Sequence, residues 1–276
     1  YVIASAKKGL KGCFIKFPKI SVGATENLII AASMAKGTSI LSNCAIEPEI
    51  KDLVNFLNKI GAKIKWIGKR TVKIFGVKKF KKSKYKIMPD RIEAGTYMIA
   101  SALTGSDLKI KNVKPNIVKT EIDVLRKVGT KILIKENELR VIGGNKIKNI
   151  KISTSPYPGF PTDLQAQLMV LLCKSYGRSE ITEKIFENRF MHASELNRMG
   201  AKIKISGNSS YIIGSQDLNG AEVMATDLRA SVSLVLAGLI AKDKTVINRV
   251  YHLDRGYEGL EKKLRKCKAK ISRIYY

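Results

Sequence analysis

The chain repeats itself four times, and that repetition constrains its fold more than any single motif does. Four stretches begin SVGATENLIIAASMAKGTSIL at Ser21, DRIEAGTYMIASALTGSDLKI at Asp90, TDLQAQLMVLLCKSYGRSEIT at Thr162 and TDLRASVSLVLAGLIAKDKTVI at Thr226. Each opens on a small or acidic residue able to cap a helix, continues through an apolar helical stretch and stops near a Gly or Asp before a short strand. Counted from Ser21, Asp90, Asp163 and Asp227, the copies lie 69, 73 and 64 residues apart.

The second half of each unit repeats as well. PEIKDLVNFLNKIG from Pro48 and IVKTEIDVLRKVG from Ile117 carry apolar residues at amphipathic helical spacing and end on a glycine suited to a left-handed stop. Two alternating strands around a polar turn follow, in AKIKWIGKRTVKIFGV, TKILIKENELRVIGG and AKIKISGNSSYIIGS, with Gly68, Asn137 and Gly207-Asn208 at the turns. The unit therefore reads helix, strand, helix, strand, strand, closed by a preceding strand. The fourth copy ends early and carries Lys268 where the others have Gly61, Gly129 and Gly200, which leaves its helix stop the least defined. Such α/β units bury the apolar first helix between sheets and leave the amphipathic second helix outside. Helices then lie inside, sheets face outward, and several helix N-termini converge.

Composition narrows the function classes. With 45% hydrophobic residues in 276, the chain can build a large core or two domains. No run of 18 uncharged apolar residues appears, and Tyr1 to Leu10 lacks the apolar block of a signal peptide, so the chain reads as soluble and cytoplasmic with no membrane partner. Four scattered cysteines in apolar settings and two histidines argue for buried reduced thiols and against a metal site. A net charge of +28 raises a nucleic-acid partner, but the lysines are spread through every segment and seldom interleaved with aromatics. Their densest run, KKFKKSKYK from Lys78 to Lys86, reads as a linker between domains at residues 1–88 and 89–276.

Capping accounts for Ser21, Asp90, Asp163 and Asp227, but not for Arg229, a cation beside the positive end of a helix dipole. Convergent helix N-termini form an anion site, and Arg229, Arg189 in FENRFMH and Arg255 in HLDRGYE add guanidinium forks suited to carboxylate or phosphate. The competing arrangement is an Arg–Asp pair inside each motif. SPYPGFPTD places three of the chain's seven prolines ahead of Thr162 and Asp163, stiffening the backbone that delivers a carboxylate.

KISVGAT, EPEI, PDRIEAGT, FPTDLQAQ, ENRFMH, TDLRAS and YHLDRGYE, in this order along nearly the whole chain, resemble the UDP-N-acetylglucosamine 1-carboxyvinyltransferase family, the enolpyruvyl transferases of early peptidoglycan synthesis and cell wall biogenesis. The resemblance implies inside-out α/β barrel domains with the active cleft between them. It also implies transfer of an enolpyruvyl group from phosphoenolpyruvate to the 3-hydroxyl of UDP-N-acetylglucosamine, through a tetrahedral intermediate, without a cofactor. Carried over residue by residue, Asp163 is the base at the sugar hydroxyl. Lys19, Ser21, Val22 and Gly23 cradle the nucleotide diphosphate, and Ile185 is an apolar contact to the sugar nucleotide. Arg229 and Arg255 hold phosphoenolpyruvate, while Arg189 and Asp227 line the same cleft; Asp163, Arg255, Arg229 and Asp227 form the expected catalytic set.

The chain departs from that family at its start. About the first third of the pattern has no counterpart, including an early Lys-Asn pair and a mobile loop with a reactive cysteine, a role none of the four cysteines inherits. The expectation is a half-built first domain with exposed sheet edges, and a chain inactive or weakly active without a missing N-terminal segment or second chain. Two other readings are an enolpyruvylshikimate phosphate synthase-like enzyme and a basic nucleic-acid-binding module on a related repeat fold.

Overall fold

A computed structural model describes residues 1–274. The first copy runs β1 (Phe14–Lys16), α1 (Val22–Ala32), β2 (Thr38–Ser42), α2 (Pro48–Lys59), β3 (Lys63–Gly68) and β4 (Thr71–Phe75). The second runs α3 (Arg91–Thr104), β5 (Asp107–Lys111), α4 (Lys119–Lys127), β6 (Lys131–Lys135) and β7 (Glu138–Ile142). After β8 (Ile147–Lys148) the third comprises β9 (Lys151–Ser153), α5 (Gln165–Cys173), β10 (Ser175–Tyr176), β11 (Arg178–Thr182), α6 (His192–Arg198), β12 (Lys202–Ser206) and β13 (Ser209–Ile213). The fourth holds β14 (Glu222–Met224), α7 (Leu228–Gly238), β15 (Val246–Asn248) and α8 (Leu260–Lys266).

The sheets repeat one topology. β1-β2-β4-β3 and β9-β11-β13-β12 each join a parallel pair to an antiparallel hairpin. The second copy, β5-β7-β6, lacks the preceding strand expected of every unit; the lysine-rich stretch ahead of α3 has no alternating apolar face to pair with. The fourth keeps only the parallel pair β14-β15, and among the described residues no hairpin follows α8. β3, β6 and β12 are the outer strands of their sheets and read KIKWIG, KILIK and KIKIS.

Packing divides the chain into two units, Tyr1–Met88 with Pro156–Pro158, and Pro89–Ser155 with the chain from Gly159 onward. In the second unit the apolar helices lie at the centre. All nine residues of α5 are buried, as are eleven of the fourteen in α3 and eight of the eleven in α7, and both neighbours pack on α5. A helix buried all round requires apolar residues on every side, which is why QAQLMVLLC shows no polar stripe. In the first unit α1 is less enclosed than expected: it buries Thr25, Ile29 and Ala32, and among the described residues of that unit it packs chiefly against α2, β2 and β4. The expectation of four buried thiols also needs correction. Cys44 and Cys173 are buried, and burial pushes their thiols up to about 11 and about 12, but Cys13 and Cys267 are exposed.

The helix stop of the fourth copy keeps the shape of the other three. Gly61, Gly129 and Gly200 take φ of 105°, 99° and 96°, and Lys268 takes 68°, in the left-handed region that glycine occupies at least cost. Among the described residues no helix is long and apolar enough to cross a membrane.

Candidate active site

The four residues that sequence assigns to capping divide into three caps and one exception. Ser21 accepts from the N–H of Ala24 at 3.3 Å, Asp90 from Ile92 and Glu93 at 2.7 and 3.0 Å, and Asp227 from Arg229 and Ala230 at 2.7 and 3.0 Å. Asp163 caps nothing. It lies in a 3-10 turn, Thr162–Leu164, ahead of α5, and its carboxylate points instead to two arginines. Its Oδ1 accepts from Nη2 of Arg189 at 2.9 Å and from Nε of Arg229 at 3.1 Å.

This cluster joins the third and fourth copies. Arg229 occupies the first turn of α7, so its backbone N–H serves the Asp227 cap while its side chain reaches across to Asp163. Arg189 lies in the loop before α6, with its guanidinium 4.6 Å from the Phe186 ring centroid and its Nη1 donating to the Thr162 hydroxyl at 2.7 Å. Pairing thus occurs between motifs rather than within each one. Burial alone would raise the pKa of Asp163, but the charges of Arg229 and Arg189 outweigh it and hold the carboxyl below the usual carboxylate range. Burial likewise works against the charge of Arg229, and Asp163 more than offsets it.

Beneath the pair lies a buried polar network. The Tyr257 hydroxyl is 2.8 Å from that of Thr96, and the Gln167 amide donates to both and to the Asp163 carbonyl at 3.0 Å. Tyr257 and Asp90 both act electrostatically on Arg229, so the starts of α3, α5 and α7 share one region of the second unit. His192, at the start of α6, is buried with no hydrogen bond to Nε2; burial drives its imidazole down to about 4 against the pull of the Asp227 charge, with Arg189 lowering it further.

Arg255 stands apart. It ends the 3-10 turn Val250–Arg255, is exposed, and makes no hydrogen bond or ion pair with Asp163. The next residue, Gly256, lies against Leu228 at the start of α7, which puts its backbone at the same end of that helix. Ile185 is half-buried and donates its N–H to Glu183 at 2.8 Å. In the first unit Lys19, Ser21 and Gly23 are exposed and Val22 half-buried around the start of α1, and a Cβ added at Gly23 would meet open space.

Sequence reasoning passed over Glu183, Gln167 and Tyr257. What sets Glu183 apart shows only in the structure: one residue past the corresponding strand, the other copies have Asn43, Asn112 and Arg249, all left-handed at φ 60°, 62° and 57°, while Glu183 is not.

Residues 1–264 match the family described as EPSP synthase (3-phosphoshikimate 1-carboxyvinyltransferase). Among curated relatives, a UDP-N-acetylglucosamine 1-carboxyvinyltransferase of Pelagibacter ubique (strain HTCC1062) is 67% identical over 274 residues, covering 99% of this chain and 66% of that protein. One of the same name from Azorhizobium caulinodans is 52% identical over 275 residues, covering 99% and 64%. The chain thus spans about two-thirds of the length of the curated relatives it matches. Among solved structures, the enolpyruvyl transferase NikO from Streptomyces tendae superposes with a TM-score of 0.83 at 27% identity, over 91% of this chain and 60% of that one. An EPSP synthase from Acinetobacter baumannii, at 18% identity, shares the fold with a TM-score of 0.71 over 96% and 64%.

Proposed function

The chain belongs to the EPSP synthase (3-phosphoshikimate 1-carboxyvinyltransferase) family, and from that membership we propose that it serves enolpyruvyl transfer from phosphoenolpyruvate to the 3-hydroxyl of UDP-N-acetylglucosamine in the cytoplasm, releasing phosphate. The acceptor follows from the names of relatives 52% and 67% identical to it. The observation that carries the chemistry is the sharing of one Asp163 oxygen between Arg189 and Arg229.

In the addition step, the acceptor oxygen bonds to C2 of the donor, its proton passes to Asp163, and C3 of the donor gains a proton. In the elimination step C3 loses a proton, the double bond re-forms and the C2–O bond to phosphate breaks. A carboxylate whose affinity for protons is depressed by two guanidiniums is a weak base. The donor's own carboxylate and phosphate compete for those guanidiniums, so donor binding restores basicity to Asp163 at the moment it is needed. Arg229 and Arg255, the latter exposed and without a partner among the described residues, hold the donor and stabilise developing charge. Arg189 and Asp227 line the site, the latter mainly as the cap that orients Arg229. Lys19, Ser21, Val22 and Gly23 receive the nucleotide diphosphate on the start of α1, and Ile185 gives the apolar contact.

Calorimetric titration of the chain with UDP-N-acetylglucosamine and with shikimate 3-phosphate tests the acceptor. Binding of the sugar nucleotide alone is expected. Binding of shikimate 3-phosphate alone would move the chain to the other acceptor class of its family, and binding of neither would defeat the proposal.

A further inference from the structure

Glu183 is a buried acid, 2% exposed, that no cation pairs with among the described residues. Such a group is costly unless its oxygens are satisfied, and here they are. Oε1 accepts from the Thr154 hydroxyl at 2.8 Å and from the N–H groups of Ile185 and Phe186 at 2.8 and 3.1 Å; Oε2 accepts from the Thr162 hydroxyl at 2.8 Å. Every contact uses Glu183 as an acceptor. Thr162 has one hydroxyl proton, and it is committed to Glu183, so the oxygen can only accept from Arg189 Nη1 at 2.7 Å. With Nη1 fixed there, Nη2 of the same planar fork falls on Asp163 Oδ1 at 2.9 Å.

We propose that Glu183 is a positioning residue that sets the direction of a hydrogen-bond relay through Thr162 and Arg189 to Asp163. The departure of Glu183 from its equivalents supports this, since Asn43 at the same place in the first copy donates to a neighbouring backbone carbonyl, Phe17 O, at 2.9 Å instead. An amide at position 183 reverses the relay. Its NH₂ would donate to Thr162 and take one of the hydroxyl's two lone pairs while freeing its proton, so the hydroxyl would no longer be held as an acceptor aimed at Arg189 and the fork would lose its fixed direction toward Asp163.

The functional weight of the relay rests on reading Asp163 as the base, but its test does not. The groups facing Asp163 are Arg189 from the loop before α6 and Arg229 from α7. Carbon-13 NMR titration of the Asp163 carboxyl, assigned with Asp163→Asn, would be recorded for the native chain, Glu183→Gln, Thr162→Val and Thr162→Ser, together with the Arg189 guanidinium proton signals. Glu183→Gln and Thr162→Val should each move the Asp163 midpoint upward and collapse the resolved Arg189 signals, while Thr162→Ser should titrate as the native chain does. A residue needed only for folding would lower the melting temperature and leave the midpoint in place. Should Glu183→Gln not fold, Thr162→Val decides, because that position is half-exposed and its hydroxyl alone is removed. A folded Thr162→Val chain with the native midpoint overturns the relay; loss of sugar-nucleotide binding in the native chain would count against the transfer reading and leave the relay untouched.

Discussion

Asp163 Oδ1 and Arg229 Nε are 3.1 Å apart although 66 positions separate the two residues. The bond links the turn that opens α5 to the first turn of α7, so the third and fourth copies meet through their helix starts as well as their apolar sides. Arg229 sits at the positive end of its own helix dipole, an unfavourable place that the Asp163 charge offsets.

Asp163→Asn should therefore free two neighbouring guanidiniums. Inorganic phosphate is expected to bind this variant about tenfold more tightly than the native chain, as a competing carboxylate has been removed. Thermal shift against phosphate concentration measures the change; equal shifts for both proteins would show that Asp163 does not occupy the anion-holding groups.

His192 gives stability a defined pH dependence. Its folded-state value is lowered to about 4, so between about 6.5 and 4 the unfolded chain binds the proton that the folded chain refuses. Its contribution is whole above that window and declines as pH falls through it, by at most about 3 kcal/mol. Urea unfolding at stepped pH should show this slope, and His192→Gln should flatten it. Asp163 adds a loss of the same sign at lower pH, because its depressed value stabilises the fold only while it remains ionised.

Gly95 on α3 carries no side chain for a steric reason: a Cβ there would come within 2.4 Å of Leu164 Cδ1, next to Asp163. Gly95→Ala should cost about 1–3 kcal/mol, since Leu164 is fully buried and cannot swing into solvent. Adding Leu164→Ala to it should cost less than the two single changes together, as the double variant regains room. Strict additivity in denaturant unfolding would contradict the contact.

Lys268 holds a left-handed backbone at φ 68° in the place where three other copies have glycine. Lys268→Gly should stabilise the chain by about 0.5–1 kcal/mol, relief of strain exceeding the added freedom of the unfolded state. Calorimetry should place its melting point about 2 °C higher; a lower value would mean that the lysine side chain contributes more than the strain it imposes.

The repeating unit was legible in the sequence because capping residues, apolar runs, stop glycines and alternating strands are local signals, each tied to one backbone conformation. The shortfall at α1 was not legible, since VGATENLIIAA carries the same apolar signal whether or not a second sheet is there to cover it. Asp163 could be singled out but its partners could not: an acid at a helix start caps in two copies and bridges arginines in a third, and only tertiary contact separates the cases. Glu183 looked like an ordinary acid in a polar loop, and its burial depends on hydroxyls 29 and 21 positions away.

The outermost strands β3, β6 and β12 carry Lys63 and Lys65, Lys131 and Lys135, and Lys202 and Lys204 along their open flanks. Ammonium groups lining an unpaired flank repel an incoming strand before its hydrogen bonds can form. Six of the chain's basic residues thus stand where they guard the flank of a sheet, and masking those amines should promote association between molecules.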